Sequence, residues 1–236
     1  MLIFDDINLY SNSKMKIKNI KLVVFDAYGT CFDVHSTSSL LKKYIGKNWK
    51  NFSNLWRTKQ LEYSWIRTIM NQYVDFWKIT NDALDYTLEV YKKNKIKKKL
   101  LNSYKFLKPY SDLELLINFL KKKKIPRYIL TNGSSLMIRN LLKNYKMNKD
   151  FNKILSIDSI KIYKPSPKVY KIVTNNFKCS PKNILFLSSN CWDIAGAKNF
   201  GFRTAWINRK KIKFDKLGFY PDIELQSLNN LRKILT

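Results

Sequence analysis

Short apolar runs alternate with amphipathic stretches along most of the chain. The apolar runs are bounded by turn-forming residues, as expected of buried strands. They occupy residues 20–25, 125–131, 153–157, 183–188 and 203–208. Amphipathic stretches of helical period precede the second run and separate the later ones. This order of strands and helices predicts an α/β fold with a doubly wound parallel sheet and right-handed crossovers.

A long helical block separates the first predicted strand from the second. From about 38 to 107, leucines and aromatic residues recur every three or four positions, which predicts an inserted all-helical unit. Further along, Ser111 and Glu114 have the spacing of a capping box at a helix start. Pro167 fits the first turn of a helix, and Gly201 fits a helix end.

Length and cysteine content restrict the class of protein. A chain of 236 residues that is 45% hydrophobic can form one large domain, or a core and a smaller unit. Three cysteines, at 31, 179 and 191, have no metal-binding spacing and argue against a disulfide framework. No apolar run approaches the roughly 20 residues that span a bilayer, and the N-terminus lacks a cleavable apolar core. We expect a cytoplasmic protein without a membrane partner.

The net charge of +28 has two interpretations. It could attract a nucleic acid or an anionic membrane. Alternatively, it reflects codon bias, because the chain is rich in Lys, Asn, Ile, Phe and Tyr, all encoded by A/T-rich codons. The basic runs at 92–100 and 121–124 are typical of solvated helix faces and match no nucleic-acid motif. We favour codon bias and expect no nucleic-acid partner.

Polar residues follow four of the predicted strands. Each alone is most often a helix cap or turn residue. The carboxyl ends of parallel strands lie along one edge, however, and ligands bind there in open α/β sheets. The residues in question are Asp26, Tyr28 and Thr30, then Thr131, Asn132, Gly133 and Ser134, then Lys164, and finally Ser188, Ser189, Asn190, Trp192 and Asp193.

Five stretches of the sequence together carry a more specific resemblance to a known protein family. They are FDAYGTCFDVHS at 25–36, LWRTKQLEYSWIR at 55–67, LTNGS at 130–134, YKPSPKVY at 163–170 and LSSNCWDIAGAKNFGF at 187–202. With these stretches in order, the chain resembles the haloacid dehalogenase superfamily and, within it, the L-2-haloacid dehalogenases.

The resemblance implies a division of the chain. It covers residues from about 20 to 225. It implies a Rossmann-like core at 19–35 and 108–236, a helical cap at 36–107 and an N-terminal extension at 1–18. It also implies a homodimer, since the family is commonly dimeric through cap helices.

Tyr28 separates this chain from the phosphatases of that superfamily. In those enzymes a second Asp follows the nucleophilic Asp by two residues as general acid, and further acids near the fourth strand hold Mg²⁺. Here position 28 is Tyr, and the run Ser188-Ser189-Asn190 leaves Asp193 as the nearby acid. Asp26 and Asp193 alone make a poor magnesium site. We therefore expect no metal and no cofactor.

The residue types suit displacement of a halide, which leaves without a proton. Asp26 would attack C2 of a short L-2-haloacid and form an enzyme ester. Water would then attack the ester carbonyl and release a D-2-hydroxy acid. By resemblance, Arg57 receives the halide with help from Asn132. Lys164 would keep Asp26 ionised, since a nearby opposite charge favours the carboxylate.

Resemblance assigns the remaining site residues. Asp193 would balance Lys164 and, with Asn190, orient the hydrolytic water. Thr131 and backbone N–H groups near Tyr28 would bind the substrate carboxylate. Thr30 and Ser188 complete the predicted catalytic set, Tyr170 supports it, and three side chains form an apolar wall around C2: Tyr28, Leu61 and Trp192.

Simpler interpretations of several residues stay open. Arg57 could be a surface arginine whose stem covers apolar area. Tyr170 and the wall residues could be ordinary core. His35 is the one histidine in the chain, so a histidine-based triad is excluded. Cys31 and Cys191 are interpreted as small buried fillers.

Two other functions remain as alternatives. One is a magnesium-dependent phosphatase, or an orphan hydrolase of the same superfamily acting on another carboxylated substrate. The other is a basic binding protein that kept the fold and lost the chemistry. The complete set of Asp26, Arg57, Lys164, Asn190 and Asp193 argues against such a loss.

Overall fold

A single parallel sheet forms the centre of the computed structural model, which describes residues 16–235. Its strands run in the order β3-β2-β1-β4-β5-β6, and each neighbouring pair is parallel. The strands are β1 Leu22–Phe25, β2 Arg127–Thr131, β3 Lys153–Ser156, β4 Ile184–Ser188, β5 Arg203–Ile207 and β6 Ile223–Leu225. The first five match the predicted runs. The three-residue β6 was not predicted, because an edge strand so short leaves no periodic signal.

Helices cover the sheet and form the insertion. In chain order they are α1 Ser36–Leu40, α2 Lys42–Ile45, α3 Trp49–Ile69, α4 Phe76–Val90, α5 Lys97–Tyr104, α6 Asp112–Lys122, α7 Ser135–Asn144, α8 Pro167–Asn176 and α9 Cys191–Phe200. None of those in the described part of the chain is both long and apolar enough to cross a membrane.

The helical cap consists of α1 to α5, which lie between β1 and β2 in the chain. Buried polar contacts tie its longest helices together. Trp56 on α3 donates its indole N–H to the backbone oxygen of Thr80 on α4 at 2.9 Å. The predicted fold, a Rossmann-like sheet with an inserted helical cap, is therefore confirmed. The exact limits of the cap, 36–107, stay a prediction.

The strand order reverses at β1: β2 and β3 lie on one side of it, and β4 to β6 lie on the other. Such a topological switch point creates a crevice at the carboxyl ends of β1 and β4. Every residue of these two strands is buried. Central parallel strands have both faces covered, which explains why they were continuous apolar runs in the sequence. Asp26 follows β1 directly, and Ser188 ends β4, so both lie at this crevice.

The helix-end predictions were partly right. Pro167 occupies the first turn of α8, and Gly201 ends α9 in a left-handed conformation with φ of 103°. The capping box at Ser111 is wrong. Ser111 has helical backbone angles and its side chain makes no cap bond, whereas a capping residue needs an extended backbone.

The predicted N-terminal extension falls mostly outside the described residues. Of residues 1–18, the structure describes 16–18. Ile17 forms a parallel bridge with Leu235 next to the end of the chain. Its amide also donates to the backbone oxygen of Ile234 at 2.8 Å.

Candidate active site

Asp26 is a buried carboxylate at the crevice between β1 and β4. Its exposed fraction is 5%. The side chain accepts hydrogen bonds from four side chains: Lys164 Nζ at 3.0 Å on Oδ1, and Thr30 Oγ1 at 2.9 Å, Asn190 Nδ2 at 2.9 Å and Ser188 Oγ at 3.3 Å on Oδ2. These four donors come from three separate segments of the chain and hold the Asp26 carboxylate in one orientation.

Lys164 bridges two carboxylates in the protein interior, with 1% of its surface exposed. Its Nζ lies 3.0 Å from Asp26 Oδ1 and 2.9 Å from Asp193 Oδ2. Burial disfavours the charged ammonium, but the two carboxylates outweigh this effect and raise the pKa of Lys164. Asn132 holds the same residue by its backbone, since its Oδ1 accepts from Lys164 N at 3.0 Å.

Asp193 completes this cluster from the first turn of α9. Tyr170 donates its hydroxyl to Asp193 Oδ1 at 2.7 Å. Burial raises the pKa of Asp193 to about 6, against the opposing effect of Lys164. Gly196 lets the tyrosine approach, because a Cβ at that position would lie 2.6 Å from the Tyr170 hydroxyl oxygen.

Arg57 extends from cap helix α3 to the loop after β1. Its Nη2 donates to the backbone oxygen of Tyr28 at 3.2 Å, and its Nη1 donates to Gln60 Oε1 at 2.7 Å. Gln60 is itself buried and donates to Thr80 Oγ1 at 2.6 Å and to the Tyr104 hydroxyl at 3.1 Å. Arg57 therefore faces the core edge rather than lying on an outer surface of the cap.

A cavity of about 340 Å³ lies between the cap and the loops at the sheet edge. Arg57 and Leu61 line it from the cap. Asn190 and Trp192 line it from the core. Trp192 also packs edge-on against Trp65, with ring centroids 5.5 Å apart. The cavity thus combines a cation, an amide that contacts Asp26 and apolar side chains.

The Tyr28 ring packs into an aromatic cluster under the cap. Its centroid lies 5.5 Å from that of Phe76 and 5.9 Å from that of Tyr104. Burial raises the pKa of Tyr28 well above its ordinary value, so it stays a neutral phenol. Its hydroxyl finds no partner among the described residues. A Cβ on Gly133 would lie 2.7 Å from this ring.

Two predicted residues make their bonds away from the carboxylate of Asp26. Thr131 Oγ1 accepts from the backbone N–H of Gly133 at 2.9 Å. Asn132 uses its oxygen on Lys164, as described above. Both shape the loop after β2, and neither donates to Asp26 in the described structure.

Sequence reasoning missed several residues around the site. Phe76 and Tyr104 lie on apolar faces of cap helices, and such faces indicate core, not site. Ser189 and Arg209 line the cavity, although the sequence predicts no role for Ser189 and Arg209 belongs to no motif. Contacts between distant segments identify these residues, and no local pattern carries that information.

The histidine and the cysteines remain outside the catalytic cluster. His35 Nδ1 lies 2.7 Å from Ser53 Oγ, and burial lowers the pKa of His35. Burial raises the pKa of Cys31 well above its ordinary value, so this thiol stays protonated. Across residues 16–235, no group of three or more His, Cys, Asp or Glu side chains is arranged to hold a metal ion.

Comparison with known proteins gives a consistent result. The model of the family described as "haloacid dehalogenase-like hydrolase" matches residues 20–201. The (S)-2-haloacid dehalogenase 2 of Pseudomonas sp. (strain CBS-3) is 37% identical over 222 residues, 93% of this chain and 97% of that protein.

Solved structures agree with these relatives. A dehalogenase solved with an intermediate complex is 36% identical, with a TM-score of 0.90, over 93% of this chain and 98% of that one. The L-2-haloacid dehalogenase of Xanthobacter autotrophicus, solved with chloropropionic acid covalently bound, is 32% identical with a TM-score of 0.83. The match covers 91% of this chain and 97% of that one. This chain belongs to the haloacid dehalogenase-like hydrolases, within the family of (S)-2-haloacid dehalogenases.

Proposed function

We propose that this protein hydrolyses short L-2-haloacids to D-2-hydroxy acids and halide, with Asp26 as nucleophile. One observation carries the proposal. A buried carboxylate with four side-chain donors lies beside a cavity that Arg57 and apolar residues line. The covalently bound chloropropionic acid in the Xanthobacter relative supports an enzyme ester.

In the first step, a carboxylate oxygen of Asp26 attacks C2 of the substrate from the side opposite the halogen. A carbon–oxygen bond forms as the carbon–halogen bond breaks, and the configuration at C2 inverts. Halide departs with the bonding electrons and needs no proton. Arg57 supplies a cation for it in the cavity. Tyr28, Leu61 and Trp192 form the apolar wall around the substrate carbons, and Thr131 with backbone N–H groups near Tyr28 binds the substrate carboxylate.

In the second step, water attacks the ester carbonyl of Asp26, so C2 keeps its new configuration. Negative charge then develops on a carboxyl oxygen among Thr30, Ser188 and Asn190, and preorganised donors stabilise such charge. The bond from the carbonyl carbon to the substrate oxygen breaks. One water proton ends on the hydroxy acid, and the other is released to solvent.

Asp193 and Lys164 have supporting roles in the proposal. A pKa of about 6 leaves Asp193 ionised at neutral pH, where it can orient water together with Asn190. Lys164 pairs with the Asp26 carboxylate before attack, and Tyr170 holds Asp193 in place. No cofactor enters either step.

Halide release from L- and D-2-chloropropionate, with EDTA present, tests the function. We expect release from the L form, and loss of all turnover in Asp26→Asn, which keeps the shape but removes the nucleophile. Asp82→Asn is the matched control and should retain activity, because Asp82 is a half-buried residue of α4 that pairs with Lys78 and makes no contact with Asp26, Lys164 or Asp193. Magnesium-dependent turnover of a phosphate ester, without halide release, would contradict the proposal.

The location of the label from ¹⁸O water tests the mechanism separately. In a single turnover with excess enzyme, the label should appear on Asp26 and not in the hydroxy acid. Direct attack of water on C2 would instead label the first product molecule and leave Asp26 unlabelled.

Assembly and location complete the proposal. A homodimer through the cap is supported by exposed apolar side chains at the end of α3: Ile66, Ile69 and Met70 are 43%, 80% and 57% exposed. A cytoplasmic location is supported by the three cysteines, all unpaired, which suit a reducing compartment.

A further inference from the structure

Arg209 lies two residues beyond β5, at the same sheet edge as Asp26. Its guanidinium binds three other segments of the chain. Nη1 donates to Ser189 Oγ at 2.9 Å, and Nη2 donates to the backbone oxygen of Thr30 at 3.2 Å. Nη2 also contacts the carboxylate of Asp112 at 3.0 and 3.2 Å. One side chain thus joins the loop after β1, the loop after β4 and the start of α6.

These contacts lead directly to the nucleophile. Thr30 Oγ1 donates to Asp26 Oδ2 at 2.9 Å and accepts from Ser189 N at 2.8 Å. Ser189 lies in the chain between Ser188 and Asn190, both of which donate to the same oxygen. Arg209 therefore binds the two segments that carry three of the four donors to Asp26.

Arg209 is itself firmly held. Its guanidinium lies over the Tyr110 ring, 3.9 Å from the centroid. Asp112, its acidic partner, also accepts from Leu228 N at 2.8 Å. A planar guanidinium can bind several acceptors at once in fixed directions, whereas a lysine ammonium is a single point charge. The contacts of Arg209 use this property of arginine.

We propose that Arg209 is a positioning residue for Asp26, acting through Thr30 and Ser189. The proposal rests on the proposed function. Arg209 lines the same cavity as Arg57, but both of its Nη atoms already bind protein groups, and it makes no direct contact with Asp26 in the described structure. Its effect should therefore fall on the chemical steps and less on substrate binding. A displacement of about 1 Å in a reacting group can lower the rate about a hundredfold.

The kinetic test compares Arg209→Gln and Arg209→Lys with Arg203→Gln. Arg203 is the matched control, because it begins the same strand, is exposed and pairs with Asp222 at the opposite sheet edge. We expect kcat for L-2-chloropropionate to fall between about tenfold and a hundredfold in Arg209→Gln, with KM changed less than about twofold. The kcat of Arg209→Lys should also be low, because lysine keeps the positive charge but lacks the planar guanidinium that binds several acceptors at once. The control should match the unsubstituted enzyme.

Ser189→Ala is the milder variant in case Arg209→Gln folds poorly. It removes one acceptor of Arg209 and leaves the ion pair with Asp112 intact. We expect a kcat loss of a few fold with unchanged thermal stability. A kcat within about twofold of the unsubstituted enzyme in both Arg209→Gln and Ser189→Ala would overturn the proposal.

Hydrogen exchange of the Ser189 amide gives a readout that needs no activity. This amide donates to Thr30 Oγ1, so its exchange should accelerate in Arg209→Gln and stay unchanged in Arg203→Gln. If the unsubstituted protein releases no halide, the proposed function fails, and this exchange rate still decides whether Arg209 holds the two loops. Unchanged exchange at Ser189 would overturn the positioning role.

Discussion

Lys164 neutralises only one of the two carboxylates it contacts. Asp26, Lys164 and Asp193 together carry one excess negative charge in a space almost closed to solvent. Neutral donors compensate for it: Thr30, Ser188 and Asn190 on Asp26, and Tyr170 on Asp193. Buried charges are tolerated when they are paired and hydrogen-bonded in this way.

Because the pKa of Asp193 is about 6, the rate of halide release below neutral pH should depend on the protonation of Asp193. Below a pH of about 6, Asp193 gains a proton, so Lys164 loses one charged partner and, in the proposed mechanism, the hydrolytic water loses an acceptor. We expect kcat to fall as the pH decreases through about 6. The pH dependence of halide release from L-2-chloropropionate measures this.

Tyr170→Phe should move that fall to higher pH, because a hydrogen bond to the ionised form holds a carboxyl pKa down. Tyr73→Phe is the matched control, since Tyr73 donates to Asp158 in a tyrosine–aspartate pair that makes no contact with Asp193. A Tyr170→Phe profile with the same midpoint as the control would contradict this role of Tyr170.

At the scale of elements, the cap helices hold Arg57, the cation proposed to receive the halide. Gln60 on α3 accepts from Arg57 and donates to Thr80 on α4 and Tyr104 on α5. Three helices therefore fix one guanidinium through one amide. Unpaired buried polar groups are costly, so this network has a single favourable arrangement.

Comparing the variants Gln60→Leu and Thr80→Val distinguishes the packing of the cap helices from the positioning of Arg57. Each removes a buried hydrogen bond and should lower the free energy of unfolding by about 1 kcal/mol or more. Only Gln60→Leu removes the acceptor that orients Arg57, so we expect kcat to fall in that variant alone. The loss should be about tenfold, smaller than the loss caused by removing a group that donates directly to the transition state. Denaturant unfolding and halide-release kinetics measure the two effects. Equal loss of kcat in both variants would show that the helix packing, not the Gln60 contact, positions Arg57.

At the scale of the whole molecule, many of the lysines lie at exposed positions. Several cap lysines lie over aromatic rings, such as Lys99 over Tyr44 at 4.1 Å and Lys59 over Tyr86 at 4.9 Å. Such contacts suit solvated helix faces, where the stem packs and the ammonium stays in water. The absence of a nucleic-acid partner stays a prediction.

The proposed homodimer predicts an effect of Ile69→Asp. A charge in an apolar interface is unfavourable, so this variant should elute as a monomer in size-exclusion chromatography with light scattering. Leu136→Asp, an equally apolar and 67% exposed position on α7 of the core, is the control and should leave the mass unchanged. A monomeric unsubstituted protein would contradict the homodimer.

The sequence by itself determined the five longer strands, the inserted helices and the polar residues at the strand ends, because apolar periodicity is a local signal of buried faces. The resemblance added candidate roles for Asp26, Arg57 and Lys164. Only the tertiary structure decided which atoms meet: Lys164 and Asp26 are 138 positions apart, and Arg209 and Thr30 are 179 apart. Such contacts depend on strand order and loop geometry, which arise from packing across the whole sheet and leave no local pattern in the chain.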